Sequence, residues 1–327
     1  MHWREVWFGT SPQSRVLRVL LAPLSLLYWL VWEGYLLIYR LGLKKPSEPH
    51  RPVLCIGNLV AGGSGKSPVT LYVAELLTAA GRKVVLGCSG YGAPHSEGAT
   101  WAPDGPLDAR EWGDEPAMFR SLAPKFPIIV GRNRVQAASI CHEKAPDAIL
   151  LMDDGFQHLP LRKHLSILLD KPQANTMCLP AGPYREPRRN RSRADLVLPN
   201  GFKPTFRIES FVRPDGTRIS APTGAQANVL CALADPSRFM DDLAQLGIHV
   251  TAKAILPDHD RLDAGNLFAS LNQNLPVIVT AKDWVKLQYG PDISQREIWI
   301  ARQEARIEPE AEFRDWLTRK LDELSNQ

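Results

Sequence analysis

Residues 56–68 read IGNLVAGGSGKSP. A strand-like run leads into Gly62-Gly63-Ser64-Gly65, and a helical pattern follows Pro68. In that setting the backbone N–H groups of a glycine turn converge on a phosphate at a helix N-terminus. Lys66 is then the cation that reaches the β- and γ-phosphates, and Ser67 the hydroxyl available to Mg²⁺. The usual pattern, G-x-x-x-x-G-K-[ST], has glycine where this chain has Val60. Pro68 is compatible, because a first-turn proline lacks only an N–H that has no partner inside the helix. Val60, Ala61, Gly62, Gly63, Ser64, Gly65, Lys66 and Ser67 therefore read as a nucleotide-binding loop.

Working outward, short apolar runs alternate with helical patterns. Strands are expected at 53–57, 83–87, 127–130, 148–152 and 166–169, with helices from the glycine loop to about residue 80, from Asp114, and over 134–143. Continuous apolar strands separated by helices predict a doubly wound, mostly parallel sheet. The pattern breaks at 205–220, TFRIESFVRPDGTRIS, which alternates like a hairpin around Pro214-Asp215-Gly216. Strands then follow at 228–233, 249–255, 276–280 and 297–301, with helices opened at Asp235-Pro236, near 265–271 and at Glu308-Pro309. The expected organisation is an N-terminal helix region (1–45), a P-loop α/β domain (46–204), a β-hairpin linker (205–222) and a smaller C-terminal α/β domain (223–327).

The chain has 327 residues, a net charge of +4 and no repeats, and this mild charge does not point to nucleic acid. Five cysteines stand at 55, 88, 141, 178 and 231 without C-x-x-C spacing. That excludes a disulfide framework and a zinc ribbon, and suits a reducing compartment. Residues 19–32, VLLAPLSLLYWLVW, carry no charge, and Tyr28, Trp29, Trp32, Tyr35 and Tyr39 match the aromatic belt of a membrane interface. A spanning helix needs about 20 apolar residues, and Glu33 interrupts this one. We read the segment as a membrane anchor that either spans or lies in the interface.

A phosphate loop needs a carboxylate for its metal. AILLMDDG (148–155) supplies Asp153 and Asp154 at the end of an apolar strand, where an acid points toward Mg²⁺ from the carboxyl edge of the sheet. A guanine-reading N-K-x-D or T-K-x-D tetrad is absent, and Thr280-Ala281-Lys282-Asp283 reads as a strand-to-helix cap. Arg185, Arg188, Arg189, Arg191 and Arg193 put five arginines within nine residues, a local anion-seeking patch.

The motifs GGSGKSP, GDEP (113–116), DDGFQH (153–158), LPAGPYREP (179–187), ADLVLPN (194–200), PDH (257–259) and TAKDWVKL (280–287) follow one another in this order. In this the chain resembles the tetraacyldisaccharide 4′-kinase family of Gram-negative bacteria. The resemblance implies ATP and Mg²⁺ as cofactors and phosphorylation of the 4′-hydroxyl of an acylated glucosamine disaccharide 1-phosphate. It also implies work at the cytoplasmic face of the inner membrane, with a lipid substrate, no nucleic acid and no obligate protein partner. By the same resemblance Asp114 is the base and His259 its partner, while Gln157, His158, Arg134 and Arg185 contact substrate or phosphate. The chain departs from the family at Cys88-Ser89-Gly90-Tyr91-Gly92, where S-R-G-Y-G is usual, at Asp260 after PDH, and at ALADP (232–236). Loss of an active-site arginine keeps a second reading open, a membrane-bound nucleotide-binding scaffold or pseudokinase.

Overall fold

The computed structural model describes residues 3–219, 223–233, 235–257, 260–262, 266–290, 293 and 296–325. Two short-connected helices open the chain, α1 (Trp3–Phe8) and α2 (Pro12–Arg40), the second capped by the Ser11 hydroxyl, which accepts from the Ser14 N–H. The first lobe then alternates strand and helix. Its elements are β1 (Val53–Asn58), α3 (Lys66–Ala79), β2 (Lys83–Cys88), β3 (Thr100–Trp101), α4 (Ala109–Trp112), α5 (Asp114–Leu122), β4 (Ile128–Val130), α6 (Arg134–Lys144), β5 (Ala148–Asp153), β6 (Leu165–Leu169) and β7 (Leu196–Leu198). The strands form a seven-stranded sheet in the order β3-β4-β2-β5-β1-β6-β7, parallel except for the β3–β4 pair. β1, β5 and β6 are buried along their whole length, as strands covered by helices on both faces must be.

The second lobe contains β8 (Lys203–Val212), β9 (Arg218–Ile219), β10 (Gln226–Cys231), α7 (Ser237–Gln245), β11 (His249–Ile255), β12 (Val277–Thr280), α8 (Ala281–Leu287), β13 (Ile298–Glu308) and α9 (Glu310–Ser325). Its six-stranded sheet runs β11-β10-β12-β13-β8-β9, parallel through β13 and antiparallel beyond it. The alternating stretch after residue 204 thus lies in β8 and β9, at one edge of this sheet. The helix expected near 265–271 is a series of turns over 266–271. Leu267, Phe268 and Leu271 imitate a helical apolar face in sequence. In space they pack into the core, while Arg296 donates to the Phe268 carbonyl and Asn228 bonds with Asn272 to hold the turns.

One apolar cluster runs through both lobes, from Leu54, Val73 and Phe119 to Val279, Trp284, Ile307 and Phe313. At about 1.5–3 kcal/mol for each fully buried large apolar side chain, such a shared core fixes the two sheets against each other. The joint is made where α3 meets β13 and α5 meets α8. A second cluster, on the other face of the first sheet, takes in Tyr28 and Trp29 of α2. All five cysteines are free and buried.

Candidate active site

The β1–β5 register sets Ile56 opposite Asp153, so the end of β1 and the acid pair emerge side by side at one edge of the sheet. The loop that follows β1 is pinned from outside. The Ala61 N–H donates to the Pro183 carbonyl at 2.8 Å, the Arg185 N–H donates to the Leu59 carbonyl at 2.8 Å, and Val60 forms an antiparallel bridge with Tyr184. Val60 therefore occupies bridged, buried backbone where a side chain is tolerated. The left-handed turns fall at Gly62 (φ 101°) and Gly65 (φ 81°), where glycine is favoured. Pro68 is the third residue of α3, inside its first turn.

Asn58 is the hub beneath the loop. Its Nδ2 donates to the Val60 carbonyl and to Ser64 Oγ, both at 2.8 Å. Its Oδ1 accepts from Arg185 at 2.9 Å, and its carbonyl accepts from Gln157 Nε2 at 2.8 Å. Gln157 also donates to the fully buried Glu186 at 3.1 Å.

The two aspartates are sorted by their neighbours. Asp153 accepts from Ser67 Oγ at 2.9 Å and from Thr70 Oγ1 at 3.1 Å, facing α3. Burial, with the Glu115 charge added, pushes its carboxyl up from the ordinary range. Asp154, in a left-handed turn at φ 55°, is clasped by Arg185 with both distances at 3.0 Å and lies 3.6 Å from Lys66 Nζ. Burial alone would raise Asp154, but the Lys66 and Arg185 cations outweigh it and hold it below the usual carboxylate range. Arg134 is buried at 3% exposure and donates to the Asp153 carbonyl at 3.1 Å, while its Nη1 has no hydrogen-bond partner among the described residues. His158 is pulled down to about 4 by burial, with Lys163 and Arg134 adding repulsion.

Among the described residues no group of three or more His, Cys, Asp or Glu side chains forms a metal cage. A hydroxyl and one carboxylate are nevertheless the partial set that Mg²⁺ takes when nucleotide phosphates complete its shell. Asp153 turns its carboxyl to the Ser67 hydroxyl at 2.9 Å beside the loop, so these residues fit that ion. Glu115 was not singled out in the sequence, although it follows Asp114 in GDEP. Asn58 and Thr70 were equally invisible there, because only strand pairing and one helical turn bring them to the loop.

The arginine patch is committed to carboxylates. Besides Arg185 on Asp154, Arg188 and Arg191 share Asp170, Arg189 meets Glu33 of α2 at 2.8 Å, and Arg193 meets Glu186. Asp114 stands apart from this nest, on the wall of a cavity of about 660 Å³ between the lobes, with Tyr91, Arg110, Arg261 and Lys286. His259 lies outside the described residues; its neighbour Asp260 lines the same cavity. Ser89 is half-buried just beyond β2.

Known proteins share this architecture. A family model described as tetraacyldisaccharide-1-P 4′-kinase matches residues 17–322. A tetraacyldisaccharide 4′-kinase of Pelobacter propionicus is 33% identical, covering 98% of either chain. One from Shewanella woodyi is 30% identical over 93% of this chain and 91% of its own. The crystal structure of LpxK from Aquifex aeolicus in complex with ATP superposes with a TM-score of 0.77 at 26% identity, covering 93% of this chain and 99% of that one.

Proposed function

The chain belongs to the tetraacyldisaccharide-1-P 4′-kinase family, and on that premise we propose how its residues perform ATP-dependent phosphoryl transfer to a lipid A precursor. It is a kinase that uses ATP, and its substrate is a lipid. The acceptor, in our reading, is the 4′-hydroxyl of tetraacyldisaccharide 1-phosphate. The observation that carries the reading is the meeting of Ser67 and Asp153 beneath a glycine loop whose lysine faces Asp154.

The loop N–H groups and Lys66 bind the β- and γ-phosphates. Asn58 keeps Ser64 and the Val60 carbonyl in place, so the loop is preorganised and little is lost in ordering it on binding. Ser67 and Asp153 are the residues that would hold Mg²⁺, with the Glu115 charge acting on the same site. An ion held there would supply neutralisation of the charge on the transferred phosphoryl group. Asp154 is the less available of the two acids, because Arg185 already occupies both of its oxygens. Asp114 accepts the proton of the acceptor hydroxyl from the cavity wall, and the family resemblance adds His259 as its partner. Arg134, buried behind Asp153, keeps a cation beside the acid pair.

A lipid substrate also suits α2. Its 29 residues span about 43 Å and include an 18-residue stretch of mean hydropathy 1.5, only 6% of it buried. One side docks on the first lobe: the Ala181 N–H donates to Ser25 Oγ at 2.8 Å, and Tyr28 Oη donates to the Arg185 carbonyl at 2.7 Å. The other side exposes Val19, Leu20, Leu27, Val31 and Leu37. A helix fastened along a folded lobe reaches lipid with its free face, so we read it as lying in the interface of the inner membrane, on the cytoplasmic side.

The test is direct. Purified protein with ATP, Mg²⁺ and tetraacyldisaccharide 1-phosphate is expected to give the bisphosphorylated lipid. Retained ATP binding without that product would exclude the activity and leave a scaffold.

A further inference from the structure

The TAKDWVKL segment folds as the cap its first residues suggest, since Thr280 Oγ1 accepts from the Asp283 N–H at 3.1 Å. The segment does more than cap. Asp283 is fully buried, and its Oδ2 accepts from Thr280 Oγ1 at 2.7 Å and from the Ala232 N–H at 3.2 Å. Its Oδ1 has no hydrogen-bond partner among the described residues and lies 3.6 Å from Nζ of Lys286, one turn along α8. The Lys286 side chain is only 6% exposed, yet its ammonium also donates to the Asp260 carbonyl at 2.7 Å and sits 3.9 Å from Oδ2 of Asp114. A desolvated ammonium is costly unless paired, and this one is shared between the carboxylates of α5 and α8 and the loop at 260.

We propose that Lys286 is a positioning residue for Asp114, carried to the reaction cleft by the second lobe. The proposal rests on the reading of Asp114 as base. Thr280 and the Ala232 N–H fix one oxygen of Asp283, the other oxygen faces the ammonium, and the ammonium in turn sets the Asp114 carboxylate on the cavity wall. A flexible lysine stem becomes a fixed strut because burial and three oxygens define where its head group sits. The lobes are thereby joined at the point where the acceptor hydroxyl must meet its base, and a displacement of about 1 Å at such a point can cost about 10²-fold in rate.

The test uses the full chain in mixed micelles, with kcat and the KM for ATP measured for Lys286→Met, Lys286→Arg, Asp114→Ala and the Lys286→Met/Asp114→Ala pair. Lys286→Met is expected to lower kcat by about 10- to 100-fold with KM for ATP changed less than about 2-fold. Lys286→Arg should recover a large part of the loss, and Lys286→Met should add nothing once Asp114 is alanine. An equal loss in both backgrounds, or a change in KM with kcat intact, would overturn the proposal. Lys286→Gln guards against misfolding: if neither neutral variant binds ATP as the wild type does, Lys286 is structural and the proposal fails. The base reading fails separately, if Asp114→Ala alone leaves kcat unchanged.

Discussion

Ser67 donates its hydroxyl to Oδ2 of Asp153 at 2.9 Å, joining two residues 86 positions apart in the chain. Ser67 arrives on the first turn of α3 and Asp153 at the end of β5, and the shared sheet edge makes them neighbours. Ser67→Ala and Asp153→Asn are expected to reduce kcat by roughly 10²-fold or more, the scale of charge stabilisation that a bound metal supplies. ATP binding without Mg²⁺ should persist. Asp154→Asn should instead raise the KM for ATP, because it releases Lys66 and Arg185 from their shared partner. Rates titrated with Mg²⁺, alongside ATP affinity in EDTA, separate the two patterns.

Gly65 is constrained twice over. Its φ is 81°, and a Cβ there would fall 2.5 Å from Cε1 of Phe206, a ring carried by β8 of the second lobe. Gly65→Ala is expected to destabilise the protein by about 1–3 kcal/mol and weaken ATP binding. Adding Phe206→Ala should relieve the clash but not the left-handed backbone, so the double variant costs less than the sum of the two singles. Thermal melts of the four proteins measure that coupling.

His158 is expected to be neutral throughout the physiological range, since burial first, then Lys163 and Arg134, pull it down to about 4. Its folded value lies below its unfolded one, so the unfolded state binds the extra proton. Its contribution to stability is intact above about pH 6.5 and is lost as pH falls toward 4. His158→Gln should therefore lose less melting temperature than the wild type between pH 7 and pH 4.5. Parallel curves for the two proteins would remove His158 from the acid response.

The two sides of α2 should separate cleanly. Leu27 and Val31 are 58% and 63% exposed, so Leu27→Glu with Val31→Glu should abolish binding to phospholipid vesicles and leave the melting temperature nearly unchanged. Ser25→Ala strips the partner from the buried Ala181 N–H and should cost about 1–3 kcal/mol while vesicle binding persists. Co-sedimentation and thermal melts on the same preparations read both effects.

The glycine loop, the acid pair and the order of strands and helices were legible because each is local. An apolar run that ends in Asp-Asp, or a Gly-Gly-Ser-Gly turn before a helix, announces its geometry within ten residues. The arginine patch was legible only as composition. Each of its guanidiniums finds its carboxylate on another element, Asp154 after β5, Asp170 after β6, Glu33 on α2 or Glu186 nearby, and charge counting cannot see that pairing. The turns at 266–271 misled for a related reason: apolar spacing records burial, and burial does not require a helix.

By itself the sequence determined that a glycine loop and an acid pair stand on a parallel sheet, and that one long apolar helix precedes them. Propensity, turn chemistry and the period of apolar residues act over a few residues, so they are written in order along the chain. Only the tertiary structure decided which aspartate faces the Ser67 hydroxyl and which is neutralised by Arg185. It alone set Val60 in a bridge with Tyr184, docked one face of α2, and brought Lys286 within 3.9 Å of Asp114. Those choices belong to strand register and lobe packing, where the energy of an ionic group depends on neighbours that arrive from far along the chain.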